Sequence, residues 1–186
     1  MSTAKSVGAI EISSVAMGYK IQDDMLKAGN VELLIARTIC SGKYLVVVGG
    51  AVSDVQSAIN AGLNNAEDAI IDHMILPNVH DSVFAALGQS VALSADECGA
   101  LGVVESFSGT SALAGADAAA KAANVTLFRI HVAMALGGKG LILMTGKVAD
   151  VRAGVEAAVA EIRERGLLVF DVVIPRPQPE LFEEYL

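Results

Sequence analysis

Hydrophobic positions along this chain fall into short strand-length runs, separated by stretches whose apolar residues recur three and four apart. In the first half, residues 7–13 read as a strand of low charge. Residues 17–29 put Ile21, Met25, Leu26 and Ala28 at helical spacing, with Gly29-Asn30 as the stop signal. Residues 31–39 predict a second strand and Cys40-Ser41-Gly42 a tight turn. A third strand at 43–48 is closed by Gly49-Gly50. Ser53 is the expected N-cap of a helix running to Asn65. Residues 70–76 predict a fourth strand ended by Pro77, and residues 81–87 a short last helix.

The second half repeats the first. Val7 to Ile12 (V-G-A-I-E-I) returns at Leu101 to Ser106 (L-G-V-V-E-S), an offset of 94 that also matches Asp23 with Asp117, Lys27 with Lys121 and Asn30 with Asn124. The offset then becomes 96, matching Gly42-Lys43 with Gly138-Lys139, and ends at 98, where Leu76-Pro77 meets Ile174-Pro175. Both slips fall where insertions are tolerated, in a turn and near a helix end. A period this long is domain duplication rather than a solenoid. Strands are accordingly expected at 101–107, 125–134, 139–146 and 167–174, with helices at 112–123, 148–164 and 180–185. Each half has the order β-α-β-β-α-β, the split-βαβ pattern of the ferredoxin-like α+β fold. Its helices should cover one face of a four-stranded antiparallel sheet. The domains are expected at 5–88 and 100–186, joined by a small, polar linker at 89–99.

Composition narrows the function classes. Apolar residues make up 53% of the 186, yet no run approaches the ~20 that a membrane helix needs, so no membrane association is expected. The surplus has to go into cores and subunit contacts. The formal charge of −8 and the lack of a basic stripe argue against nucleic acid as a partner. Aromatics are only 4%, and no nucleotide fingerprint or convergent acid–base set is present, so no enzymatic activity is expected. Gly137-Gly138-Lys139-Gly140 fails the phosphate-loop pattern, because Ala133 stands where its first glycine belongs and no Ser/Thr follows the lysine. Glu11 and Glu105 match each other, and a carboxylate repeated on one strand reads as a structural partner rather than a catalyst.

The phrase D-D-M-L-K-A-G-N-V (Asp23 to Val31), the turn T-I-C-S-G-K (Thr38 to Lys43) and the ending V-I-P-R-P (Val173 to Pro177) resemble bacterial microcompartment shell domains. The tandem arrangement and the cysteine of the first turn look like the propanediol-utilisation T-type (PduT-like) subfamily, over essentially the whole chain after Lys5. The resemblance implies a pseudohexameric homotrimer that packs edge to edge with other shell proteins in a shell within the cytoplasm. It places Lys27, Lys121 and Arg176 at the tile edges. The first half departs from the pattern, with Pro77-Asn78-Val79-His80 and no arginine. The resemblance also places the turn after the second strand around a central pore, lined here by Thr38, Ile39, Cys40, Ser41 and Gly42, and in the other half by 134–138, including Gly137 and Gly138.

A single cysteine reads most simply as a small buried hydrophobe. Threefold symmetry alters that reading, since one cysteine per chain at the axis becomes a ring of three thiolates whose repulsion a metal centre would offset. Soft sulfur favours zinc or an iron–sulfur cluster. Relatives of the T type imply a [4Fe-4S] cluster, one per trimer, with Cys40 of three chains as its protein ligands. Its role would be electron transfer across the shell, or service to an enclosed redox enzyme. Cys98, in the linker and without a repeat equivalent, reads as a bystander thiol. Two alternatives stand beside this reading. One is a shell tile whose pore passes metabolites with Cys40 unmetallated, and the other a soluble trimeric ferredoxin-like regulator of small molecules.

Overall fold

A computed structural model describes residues 6–132 and 136–185. Two compact units emerge. One comprises the described residues through Val79 together with 136–138, and the other His80–Val132 with the described residues from Lys139 onward.

In the first unit the strands are β1 (Ser6–Ile12), β2 (Glu32–Ile39), β3 (Lys43–Gly50) and β4 (Ile70–Pro77), with helices α1 (Val15–Ala28) and α2 (Val52–Asn65). The strands form one antiparallel sheet in the order β2-β3-β1-β4, as the split-βαβ pattern requires. One face of the sheet presents Ile10, Ile12, Val46 and Val48 to Ile21 and Met25 of α1 and to Val55, Ala58 and Ile59 of α2. Each fully buried aliphatic side chain contributes about 1.5–3 kcal/mol. Gly8 lets α2 approach β1: a Cβ there would lie 2.6 Å from Ile59 Cγ1, and Gly102 is equally crowded by Met144 and Val151 in the second unit.

The second unit repeats the plan with β5 (Ala100–Ser106), β6 (Thr126–Val132), β7 (Gly140–Gly146) and β8 (Leu168–Ile174) in the order β6-β7-β5-β8. Helices α4 (Gly109–Ala122) and α5 (Val148–Glu164) pack against each other and the sheet. Even the irregularities repeat: register shifts fall between Leu33 and Ile35 and between Leu127 and Arg129, at equivalent places. Such bulges belong to the fold's design rather than to error.

Helix α3 (Asp81–Leu87) follows β4 in sequence but lies in the second unit, where it packs on β6 and α4. The linker is anchored as well. Ser94 and Glu97 cap a single 3₁₀ turn, and Leu93 packs with Leu101, Phe128, Leu143 and Phe182 on the sheet face away from the helices. Among the described residues, no helix is long and apolar enough to cross a membrane.

The structure corrects several local expectations. Helices α1 and α4 start earlier than 17 and 112, because Ser14 and Ser108 accept from the amides of Met17 and Ser111 and so cap them. Ser53 is not an N-cap. Ala51 holds that position without a side-chain bond, since β3 continues to Gly50 and the helix begins directly after the turn. The helix expected at 180–185 is instead two 3₁₀ turns, Pro179–Leu181 and Glu183–Tyr185. Pro179 starts the segment, and burial of Phe182 against Phe128 (ring centroids 5.9 Å apart) sets its path. The end of the strand expected at 125–134 lies outside the described residues; β6 is described to Val132.

Candidate functional site

The glycine-rich turns are where the unusual backbone concentrates. Strand β2 ends at Ile39, which is buried, and β3 begins at Lys43, its partner across the ladder. Between them Cys40–Gly42 makes the tight turn, with Ser41 at φ 66° and Gly42 at φ 70°. Two consecutive left-handed residues turn the chain sharply. Glycine adopts this region freely, whereas for a serine it costs roughly 1–2 kcal/mol. Cys40 is half-buried, Thr38, Ser41 and Gly42 are exposed, and neither cysteine is in a disulfide.

Gly137 and Gly138, both left-handed, cluster with this first unit. Ser41 Oγ donates to the Gly137 carbonyl at 3.4 Å. A Cβ built on Gly138 would sit 3.3 Å from both the Cys40 carbonyl and Lys43 Nζ. Added to Gly42 or Gly137, it would meet nothing within 4 Å. Six of the seven residues read from sequence as pore-lining (Ile39 to Gly42, Gly137 and Gly138) thus gather at one tip, with Thr38 one step before. Of the second turn, Met134 and Ala135 fall outside the described residues.

Sequence reasoning missed what holds the tip. Glu11, wholly buried on β1, accepts from Lys43 Nζ at 2.9 Å, and Glu105 on β5 accepts from Lys139 at 2.5 Å. A carboxylate taken out of water needs such a partner. Both members of each pair were visible as repeat matches. Their union was not, because it joins residues that lie 32 and 34 apart in sequence.

The lysines assigned to tile edges occupy the last turns of equivalent helices, where a cation also complements the helix dipole. Lys27 pairs with Asp23 in solvent, and that hydrogen bond, followed by the Asp23 charge, raises the Lys27 pKa above the ordinary lysine value. Lys121 pairs with Asp117 at 2.5 Å, and Asp117, 5% exposed, also accepts from the His80 amide at 2.8 Å. Arg176 is exposed on the bend after β8.

Cys98 lines a cavity of about 200 Å³ with Ala95, Pro177, Pro179 and Phe182. Burial, then Glu97 and Asp96, push its thiol pKa upward. Among the described residues, no three His, Cys, Asp or Glu side chains converge as metal ligands within one chain.

A fold of two like units, each an antiparallel sheet packed by two helices with a lysine at one helix end, defines a tandem-domain protein. The BMC domain profile matches residues 6–79 and 100–177, one copy for each repeat. The chain belongs to the BMC-domain family and is a bacterial microcompartment shell protein of the PduT-like, tandem-domain type. It is 42% identical over 181 residues to the bacterial microcompartment shell protein PduT of Citrobacter freundii, covering 97% of each chain. A crystal structure of a microcompartments protein from Desulfitobacterium hafniense DCB superposes with a TM-score of 0.84, at 43% identity and covering 95% of this chain and 97% of that one. The fused permuted hexameric shell protein MSM0275 from the RMM microcompartment shares the fold, with a TM-score of 0.62 at 22% identity over 88% of this chain and 87% of its own.

Proposed function

We propose that the chain forms a homotrimeric, pseudohexameric tile of a microcompartment shell in the cytoplasm, with the Cys40 turns of three copies around its pore. The carrying observation is the hairpin tip itself, an open glycine-rich turn bearing one half-buried thiol. Membership in a shell family and the likeness to a fused hexameric shell protein support the tile. The neighbours of the tile would be other shell proteins, met at edges carrying Lys27, Lys121 and Arg176.

A [4Fe-4S] cluster fits this donor set only across chains. One copy offers one thiol at the tip, and no described group within a chain offers more. Three copies would supply three soft sulfurs, leaving one iron for solvent or a small ligand. When bound, the cluster would supply one-electron transfer across the shell, or to an enclosed redox enzyme. The chain's own part is to hold Cys40 on a fixed turn and to keep bulky side chains away from the tip, which Gly42 and Gly137 do.

The test is iron and sulfide content with visible and EPR spectra on anaerobically purified protein, beside Cys40→Ser. The expected result is a cluster signal in the unsubstituted protein, one cluster for three chains, and none in the variant. Trimeric protein that stays iron-free after anaerobic reconstitution would overturn the cluster and leave a metabolite pore.

A further inference from the structure

The tip that carries Cys40 has a backbone cost, and the structure shows what opposes it. Lys43 directly follows the left-handed pair Ser41–Gly42 and is the first residue of β3. Its ammonium is tied to Glu11, whose side chain is 0% exposed on the central strand β1. The same ammonium borders Gly138, as does the Cys40 carbonyl, each 3.3 Å from where a Cβ at that glycine would stand. Ser41 closes the other side through its bond to the Gly137 carbonyl.

We propose that Lys43 is the positioning residue of the Cys40 turn, anchored on Glu11 and seated against Gly138 so that the two glycine turns form one rigid tip. A buried ion pair resists rotation because separating it leaves a charge in a low-dielectric interior. The end of the turn is thereby fixed to the middle of the sheet, and the direction of the Cys40 side chain with it. The second repeat gives an internal comparison. Lys139 and Glu105 make the equivalent pair, but with side chains 37% and 29% exposed, and the turn before Lys139 carries no cysteine. The tightly buried version of the pair sits where the thiol is.

This inference rests on the reading that Cys40 turns of three copies meet around one axis, and the experiment separates the two. The full chain carrying Cys98→Ser retains Cys40 as its single thiol. As iron-free protein it is treated with dibromobimane, a short reagent that becomes fluorescent on bridging two thiols, and bridged chains are counted on denaturing gels. The parent is expected to be bridged rapidly. Lys43→Met is expected to slow bridging roughly fivefold or more at unchanged oligomeric mass. Gly138→Ala, which retains the ion pair but strains a left-handed backbone position and crowds both the same ammonium and the Cys40 carbonyl, is expected to do likewise, and it serves if the methionine variant fails to fold. Lys139→Met should behave as the parent. A trimeric parent that is never bridged would sink the pore reading and this inference with it. A bridged parent matched by both Lys43→Met and Gly138→Ala would overturn the positioning role alone.

Discussion

Asp117 holds the Lys121 ammonium at 2.5 Å with one oxygen while its other accepts from the amide of His80 at 2.8 Å. The equivalent Asp23 has no such second bond among the described residues: its side chain is 60% exposed, beside a Lys27 that is 72% exposed. Immobilising a long cationic side chain costs about 2 kcal/mol of rotamer entropy. Lys121 has met part of that cost on folding, whereas an exposed pair such as Asp23–Lys27 contributes little. Under the proposed tile, Lys121→Ala should therefore impair flat-array formation more than Lys27→Ala. Electron microscopy of concentrated protein, with sedimentation for quantity, gives the ranking. Equal loss, or the reverse order, would remove the distinction between the two edges.

The buried and half-exposed ion pairs should differ in stability. Lys43→Met removes the ion-pair partner of the buried Glu11 carboxylate, and the expected cost is about 3 kcal/mol. Lys139→Met leaves Glu105, which is 29% exposed and can recruit water, so the expected cost is below about 1 kcal/mol. Denaturant unfolding of the two variants measures the gap. Indistinguishable midpoints would contradict the burial argument.

Cys98 should be a reluctant nucleophile. Burial raises its thiol pKa, and Glu97 and Asp96 add to the effect, so the folded protein holds less thiolate than a free cysteine at the same pH. Alkylation at Cys98, followed by mass spectrometry, should rise at a higher pH in folded than in urea-unfolded protein. Linkage gives a matching sign. As pH climbs through the ordinary thiol range the unfolded cysteine loses its proton first, so this group subtracts stability there and not below it. Alkylation that rises at the same pH in both states would contradict the raised pKa.

Much of the architecture was legible because duplication wrote it twice. Glu11 and Glu105, Asp23 and Asp117, and Lys27 and Lys121 recur at one offset, and the strand and helix order followed from local periodicity. The turn at Cys40–Gly42 was legible too, because glycine beside a short polar residue marks it. The strain at Ser41 was not, since a serine in the left-handed region depends on the contacts around the turn. Helix starts were missed at Ser14 and Ser108 because hydrophobic spacing locates a buried face, while the cap lies a turn earlier.

By itself the sequence determined two like α+β units, their strand order and the residues offered at the turn, because these depend on spacing along the chain. Only the tertiary structure decided that Lys43 meets Glu11, that α3 lies with the second unit, and that the final segment folds as 3₁₀ turns around Phe182. Those outcomes depend on which distant groups share a desolvated space. Local preference is weak there, and the burial of a charge or an aromatic ring sets the result.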